Sequence, residues 1–362
     1  MSDYRAALQT QRTRRLNQLI AQLPEICSDF FLSIEQVTSI LTRLSYAYDL
    51  KLFFYYMVTQ IPRFNGKSIP SIGIADIRSL KKRDLELYAR FLSLYEKSGN
   101  SETSKTKPVE ITNHEYGIKR KYASLRAFFK YLFSEELIDS DYASLVSLPK
   151  LHERAIIRLD IDEVARMLDL AETGTELPPS YKRYYKLTKT RDLAILSLFL
   201  GTGIRVSECV GLNIEDFDFE QNAFMVTRKG GKEVILYLSE EVAAPLKDYL
   251  EERKKIDALP GHEDAFFLSL QRKRMTQRAM ENMVKKYAKI AAPLKKKISP
   301  HKLRSTFGTN LYRETGDIYL VADVLGHSDV NTTRKHYAAI AEDHRRLAAE
   351  KTILRGDTPI SD

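Results

Sequence analysis

Cysteine is almost absent from this sequence. Only two of the 362 residues are cysteines, Cys27 and Cys209, and neither lies in a spacing typical of metal or redox sites. A disulfide framework is therefore not indicated, which favours a reducing, intracellular setting. The carboxylate cluster of a two-metal nuclease is not visible either. The sequence thus predicts a protein that uses no metal or other cofactor.

Long apolar runs are also lacking, and the sequence predicts no secretory leader. The longest apolar stretch, Leu193 to Leu200, is far shorter than the roughly 20 residues that span a bilayer. The first residues, Met1 to Arg5, are polar, and no apolar segment follows them. We therefore expect a cytoplasmic protein that does not enter a membrane.

Negative charge is in deficit. Lysine and arginine number 57 against 48 aspartates and glutamates, which gives a net charge of +9. Such an excess favours a polyanionic partner, although many proteins that bind no nucleic acid share it. The composition, 43% hydrophobic and 29% charged, is typical of a soluble globular protein. The length allows two domains of ordinary size.

The first 148 residues show helical periodicity. Apolar residues recur at helical spacing in segments 4–23, 34–60, 79–95 and 111–134. Loops are predicted at 62–73, which is rich in Pro and Gly, and at 98–107, which contains Gly99 and five Ser or Thr. This pattern predicts an all-helical first domain. The tyrosines of segment 34–60 either belong to an aromatic core or reach DNA phosphates, and the sequence leaves both interpretations open.

One face of segment 111–134 is basic. A solvated surface is the ordinary explanation of such a face, and contact with DNA is the alternative. The cations that we consider as DNA contacts, here and elsewhere in the chain, are Arg43, Lys119, Arg120, Arg126, Lys130 and Lys232.

The second half of the chain begins after a linker at 149–159, where Asp160 is a predicted helix N-cap. A polar segment at 172–190 is expected to form a surface excursion. A buried helix should follow and end at Gly201-Thr-Gly203. The period then changes to two, which predicts a β-hairpin with glycines in its turn, between 217 and 238. Helices are predicted at 240–255, 277–291 and 303–314.

Chemistry-bearing residues concentrate between Pro300 and Ile340. His301 and Arg304 are three residues apart and should share one helical face. His327 follows Leu325-Gly326, a pair typical of a helix that ends in a glycine cap. Histidines, an arginine and a tyrosine hydroxyl supply the charge, proton-transfer groups and nucleophile that attack on a phosphodiester needs.

Four motifs resemble those of the tyrosine recombinases, the λ-type integrases. They are Gly201-Thr-Gly-Ile-Arg-Val-Ser-Glu208, Thr227-Arg-Lys-Gly-Gly-Lys232, Pro300-His-Lys-Leu-Arg304 and Leu325-Gly-His-Ser-Asp329. The resemblance covers Asp160 to Ile340 closely and the first half in outline. Within the family the chain is most similar to the Xer recombinases, and to the single-protein XerS type in particular.

The resemblance implies a mainly α, two-domain architecture. A helical, SAM-like core-DNA-binding domain would span 1–148. An α-rich catalytic domain with a small antiparallel sheet would span 160–342, and the two would form a C-shaped clamp around duplex DNA. Residues 343–362 would supply a C-terminal helix and tail, packed on a neighbouring subunit of a homotetramer assembled on the recombination site.

The resemblance also implies roles for individual residues. Arg205 and Arg304 would bind the non-bridging phosphate oxygens, and His327 would hydrogen-bond the phosphate. Lys229 would protonate the departing 5′ oxygen, and His301 would transfer a proton at the nucleophile. The remaining members would be Glu208, which orients the site, and Tyr337, which forms a 3′-phosphotyrosyl link.

The position of the tyrosine departs from the family pattern. In most relatives it lies nine residues after the histidine of Leu-Gly-His, where this chain has His336, and Tyr337 is one residue further on. We expect Tyr337 to be the nucleophile because histidine cannot form a stable phosphotyrosyl link and a loop absorbs one extra residue. Tyr312 and Tyr319 are weaker alternatives.

The expected biological role is resolution of chromosome dimers by a Xer-type, nucleoid-associated enzyme. An integrase or transposase of a phage or mobile element is the main alternative, and a type IB topoisomerase or a non-catalytic DNA-binding relative are further ones. The sequence identifies no accessory partner and no DNA site.

Overall fold

The structure, a computed structural model, describes residues 3–97, 109–152, 157–228, 230–295, 297–327 and 330. The chain divides into two compact units, Met1–Arg154 and Ala155–Asp362. The division falls inside segment 149–159, the predicted linker. Most described residues are helical, and the strands form small antiparallel sheets. The prediction of a mainly α fold with a small antiparallel sheet is thus confirmed.

The first unit is built mainly from helices. Its elements are α1 (Asp3–Ile20), α2 (Ile26–Ser33), α3 (Ile40–Gln60), α4 (Ile74–Arg78), α5 (Lys82–Phe91), β1 (Leu94–Lys97), β2 (Val109–Thr112) and α6 (Glu115–Ser134). Helix α3 packs against both α1 and α6. Its N-cap is Ser39, whose side chain accepts a hydrogen bond from the backbone N–H of Thr42.

Aromatic side chains fill the centre of the first unit. Phe53 and Phe54 of α3 are fully buried, and Phe53 meets Tyr88 edge to face with ring centroids 5.1 Å apart. Such pairs add about 1 kcal/mol to the burial of their area. Tyr48 is 46% exposed, and the guanidinium of Arg15 lies over its ring. The aromatic residues of α3 therefore belong mainly to the core.

The prediction that the first domain is all-helical was wrong at one place. Strands β1 and β2 pair antiparallel, with Leu94 opposite Thr112 and Lys97 opposite Val109. Four residues per strand give only two alternations, which periodicity cannot distinguish from one helical turn. Helix α2 was also missed, because its eight residues make only about two turns, too few to show a helical repeat.

The second unit is arranged around one long helix. Its elements are α7 (Ile161–Thr173), α8 (Pro179–Thr202), α9 (Val206–Val210), β3 (Phe217–Asp218), β4 (Ala223–Thr227), β5 (Glu233–Tyr237), α10 (Glu240–Arg253), α11 (Gln277–Ala291), α12 (Pro300–Thr315) and α13 (Ile318–Leu325). Helix α8 packs against α7, α10 and α12. Its residues 194–199 are buried and form the apolar centre of the unit.

The predicted excursion at 172–190 lies at the surface, but it is helical from Pro179 onward. Proline is well suited to the first turn of a helix, where its missing N–H costs nothing. The lysines and tyrosines that follow are mostly exposed, so no apolar stripe reveals the helix in the sequence. Segment 172–190 is therefore the end of α7, a short turn and the first half of α8.

A buried carboxylate ties α8 to α11. Asp192 accepts hydrogen bonds from Arg191 at 2.7 Å, from Lys286 at 2.8 Å and from the hydroxyl of Tyr287 at 3.0 Å. Burial, together with the charge of Asp192, raises the pKa of Tyr287 well above its ordinary value. The tyrosine is therefore a neutral hydrogen-bond donor.

Strands β3, β4 and β5 form an antiparallel sheet in that order. The β4–β5 pair confirms the predicted hairpin, and Gly230 and Gly231 have φ angles of +87° and +83° in its turn. Both cysteines are fully buried, and this burial raises the pKa of each thiol. None of the described helices combines the length and the apolar character needed to cross a bilayer.

Candidate active site

Arg205 stands at the start of α9, directly after the turn that ends α8. Helix α8 ends at the predicted Gly201-Thr-Gly203, where Gly203 closes it in a left-handed conformation with φ +62°. The carboxylate of Glu208 accepts hydrogen bonds from the backbone N–H of Arg205 at 2.9 Å and from its Nη1 at 2.8 Å. Glu208 is buried and Arg205 is about one-third exposed. One carboxylate thus fixes both the backbone and the side chain of Arg205.

Arg304 lies on α12, which begins at Pro300. Its guanidinium is buried and donates from Nη1 to the carbonyl of Gly203 at 2.7 Å and from Nη2 to the carbonyl of Leu325. His301, one turn earlier on the same helix, is exposed. The predicted pair does share α12, but the histidine faces solvent whereas the arginine lies inside the unit.

His327 follows the C-terminal end of α13. Gly326 is left-handed with φ +61°, its N–H donates to the carbonyl of Asp323, and the N–H of His327 donates to the carbonyl of Ala322. These two bonds are those of a Schellman motif. The predicted glycine cap is therefore confirmed, and the backbone of His327 is held by the helix that precedes it.

Three guanidinium groups meet the end of α13. Their acceptors are successive carbonyls: Arg228 donates to those of Asp323 and Val324, Arg304 to that of Leu325, and Arg205 to that of Gly326. The last carbonyls of an α-helix have no intrahelical N–H donor of the usual i+4 kind, and the C-terminal end of the helix carries a partial negative charge. The helix end therefore satisfies these cations and brings them together beside His327.

Two of the predicted catalytic residues, Lys229 and Tyr337, lie outside the described residues, as does His336. The roles of all six catalytic residues and of Glu208 stay predictions. Of the alternative tyrosines, Tyr312 is buried in a small cluster with Val321 and Leu325, and Tyr319 is 71% exposed. No described group of three or more His, Cys, Asp or Glu side chains could hold a metal ion.

Several of the predicted DNA contacts already have partners within the first unit. Arg43 pairs with Glu35, Arg120 with the buried carboxylate of Asp49, and Arg126 donates to the carbonyls of Ala143 and Val146. Lys130 and Lys232 are exposed and Lys119 is half-buried. The role of these six residues in DNA binding stays a prediction. Lys130 and Lys232 suit it best because their side chains are exposed.

Sequence reasoning gave no role to Arg228, although it lies in one of the four motifs. Its carbonyl partners, Asp323 and Val324, are 95 and 96 residues away in the sequence. No local pattern indicates a bond over such a separation. The nearest signal is its position beside Lys229 in the hairpin turn.

The sequence model of the phage integrase family matches residues 158–344 of this chain. The chain is 33% identical to tyrosine recombinase XerC of Caldanaerobacter subterraneus subsp. tengcongensis, over 91% of this chain and 87% of that protein. It is 31% identical to tyrosine recombinase XerD of Proteus mirabilis, over 89% and 90%. Among solved structures, the Tn1549 transposon integrase in complex with circular intermediate DNA superposes with a TM-score of 0.62 at 21% identity, over 91% of this chain and all of that one.

Proposed function

We propose a role for the residues at the end of α13 from the fact that the chain belongs to the phage integrase family of tyrosine recombinases. These residues form the phosphate-binding part of its active site. The activity of the chain is site-specific recombination, in which DNA is cleaved and rejoined. The observation that best supports the assignment is the convergence of Arg205 and Arg304 on adjacent carbonyls beside His327.

The two arginines suit a phosphate that gains negative charge. A guanidinium is planar, permanently charged and able to bind two phosphate oxygens at once. Arg205 is about one-third exposed, and a guanidinium has five N–H donors, so contacts to Glu208 and Gly326 leave donors that can face a ligand. Arg304 is held more deeply. Charge placed in advance stabilises the transition state without reorganisation when the reaction occurs.

Tyr337 is the proposed nucleophile. Its phenolic oxygen attacks the phosphorus, its proton passes to His301, and the bond from phosphorus to the 5′ oxygen breaks. Lys229 gives a proton to that oxygen as it leaves. The products are a 3′-phosphotyrosyl link and a free 5′ hydroxyl. Attack by a 5′ hydroxyl of another strand reverses the steps, so rejoining needs neither ATP nor a metal.

Resolution of chromosome dimers is the biological role that we propose. The relatives named above are Xer recombinases, and the XerS-like turn and helical insertion of this chain favour a single-protein system. A homotetramer on duplex DNA in the nucleoid would carry it out, with residues 1–148 on the core of the site, residues 160–342 performing catalysis and residues 343–362 contacting a neighbour. The second candidate function is that of an integrase of a mobile element, because the Tn1549 transposon integrase has the same fold.

Mapping covalent attachment sites across the genome of the source cell tests both roles. The DNA attached to the protein would be captured and sequenced. We expect one chromosomal site for a Xer role and the ends of an element for the alternative. Relaxation of any supercoiled plasmid, whatever its sequence, would instead indicate a topoisomerase, and failure to attach anywhere would indicate a non-catalytic relative.

The mapped site then supplies a defined substrate. A version nicked near the cleavage position loses a short fragment after cleavage and traps the covalent complex. Replacing Arg205 by lysine should lower the rate of trapping by about 100-fold or more, as for the loss of one oxyanion donor. An unchanged rate would refute the assignment of Arg205 to the phosphate.

A further inference from the structure

The turn between β4 and β5 is closed by the backbone of Arg228. Its N–H donates to the carbonyl of Lys232 at 2.7 Å, and its own carbonyl accepts from the N–H of Gly231 at 3.1 Å. Lys229 follows Arg228 directly in the sequence and precedes Gly230. The backbone of the residue that precedes Lys229 is therefore fixed by two hydrogen bonds across the turn.

The side chain of Arg228 joins this turn to α13. Nη1 donates to the carbonyl of Asp323 at 3.0 Å and Nη2 to the carbonyl of Val324 at 2.6 Å. The two arms of the planar group thus bind neighbouring carbonyls in the last turn of one helix. A flexible ammonium, a single point of charge, could not span both in this way.

Gly326 allows the close approach of Arg228. A Cβ added to this glycine would overlap the Arg228 guanidinium. Burial lowers the pKa of Arg228, and the nearby charge of Arg205 lowers it further, while that of Glu208 opposes the shift. Its Nε is buried and has no hydrogen-bond partner among the described residues. Because its guanidinium is partly buried, Arg228 depends on the carbonyls of Asp323 and Val324 to stabilise its charge.

We propose that Arg228 is a positioning residue that fixes the β4–β5 turn against the end of α13, and thereby sets the reach of Lys229 to the leaving oxygen. This inference rests on the proposed function, in which Lys229 is the general acid. The same helix end holds Arg205, Arg304 and the backbone of His327. Arg228 would thus keep the general acid, Lys229, at a fixed distance from the residues that bind the phosphate.

A purely structural role and a direct phosphate contact are the competing explanations. The Nη1 and Nη2 atoms of Arg228 both donate to carbonyls, which disfavours a phosphate contact. A general acid must come within hydrogen-bond reach of the atom that it protonates. A displacement of 1 Å can lower a rate by about 100-fold, so an anchor at the base of the turn has a measurable effect.

The test uses DNA in which sulfur replaces the bridging 5′ oxygen at the cleaved phosphate. A thiolate leaves without a proton because thiols have a pKa near 8.5, far below that of an alcohol. Arg228→Ala should cleave ordinary DNA about 100-fold more slowly than the unmodified protein. On the sulfur substrate it should recover most of that loss. Arg228→Lys, which keeps the charge but not the fork, should lose less on ordinary DNA and recover likewise.

Three comparisons make the test decisive. Lys229→Ala should show the same recovery, and Arg205→Lys should not, since a lost phosphate contact is felt with either leaving group. Arg278→Ala removes an arginine that is 73% exposed and should match the unmodified protein. Circular dichroism and thermal denaturation establish that each variant is folded, and Arg228→Lys replaces Arg228→Ala if the latter is not.

The outcomes separate the two proposals. If Lys229→Ala does not recover on the sulfur substrate, the general-acid role of Lys229 fails. If Lys229→Ala recovers and folded Arg228 variants lose rate equally on both substrates, Arg228 has a different role and our inference is overturned. It is also overturned if the Arg228 variants cleave ordinary DNA at the normal rate.

Discussion

Nη2 of Arg205 donates to the carbonyl oxygen of Gly326 at 2.9 Å, although 121 residues separate the two in the sequence. This bond joins the turn after α8 to the residue that precedes His327. Glu208 holds the other arm of the same guanidinium. The direction of Arg205 therefore depends on both a local carboxylate and a distant helix end, and each can be tested separately.

Gly326→Ala should destabilise the protein and lower its activity. The left-handed φ of +61° costs a residue with a Cβ about 1–2 kcal/mol, and the new methyl group would also overlap Arg228. We expect a lower free energy of unfolding in urea and slower trapping on a nicked substrate. Adding Arg228→Ala should relieve the overlap and return part of the stability.

Gly261→Ala is the matched control for this variant. Gly261 also has a left-handed backbone, with φ +81°, but a Cβ added there would meet no atom within 4 Å. Gly261→Ala should lower the free energy of unfolding by the conformational cost alone, and it should cleave DNA at the normal rate. Equal losses of stability in Gly261→Ala and Gly326→Ala would mean that contact with Arg228 is not important.

Glu208→Gln should slow cleavage while leaving DNA binding nearly intact. The amide has the shape of the carboxylate but no charge, and a hydrogen bond to a charged group contributes about 2 kcal/mol. Arg205 would lose part of its restraint, which should appear as a lower rate of the chemical step in single-turnover assays. Glu215→Gln or Glu240→Gln, each at an exposed site, would serve as the control. If Glu208→Gln weakened DNA binding and left the rate of the chemical step unchanged, an orienting role would be contradicted.

Tyr337→Phe should abolish covalent protein–DNA adducts on a nicked substrate and retain binding. The ring stays, but the oxygen that forms the phosphotyrosyl link is gone. Gel electrophoresis under denaturing conditions measures the adduct, and a mobility shift measures binding. Tyr312→Phe and Tyr319→Phe are the controls and should still form adducts. If adducts persist in Tyr337→Phe, another residue, with His336 the first to examine, is the nucleophile.

Local features of the site could be predicted from the sequence, and long-range ones could not. The glycine cap at Gly326 and the common helix of His301 and Arg304 follow from spacing within a few residues. The burial of Arg304 and exposure of His301 do not, because burial depends on what packs against α12. The bonds of Arg205 and Arg228 to α13 link residues about 100 positions apart, over which a sequence carries no measure of distance. The resemblance to a family bridged that gap for Arg205 but not for Arg228.

Asp192→Asn should lower the stability of the second unit without a direct effect on the reacting groups. The carboxylate is buried among Arg191, Lys286 and Tyr287. Removing its charge leaves two partly buried cations without their carboxylate, which should cost about 3 kcal/mol, the low end of the range for a broken buried pair. Thermal denaturation should show a transition several degrees lower. Asp218→Asn, at an exposed site, should not change it, and an unaltered transition in Asp192→Asn would show that water or other groups replace the pair.

Removal of divalent cations should leave cleavage unchanged. In the proposed mechanism, the guanidiniums of Arg205 and Arg304 would supply the charge stabilisation that a metal ion gives in metal-dependent nucleases. The yield of covalent adduct would be compared with and without EDTA, with a magnesium-dependent nuclease as the positive control for chelation. A loss of adduct in EDTA that magnesium restores would contradict this prediction.

The deep burial of both cysteines makes the chain suited to single-site labelling. Thiol reagents attack the exposed thiolate, and Cys27 and Cys209 are neither exposed nor readily ionised. A cysteine introduced at the exposed Lys232 would therefore be the preferred target of a maleimide dye, without prior removal of the native thiols. Fluorescence from that position would report whether DNA binding changes the surroundings of the hairpin turn.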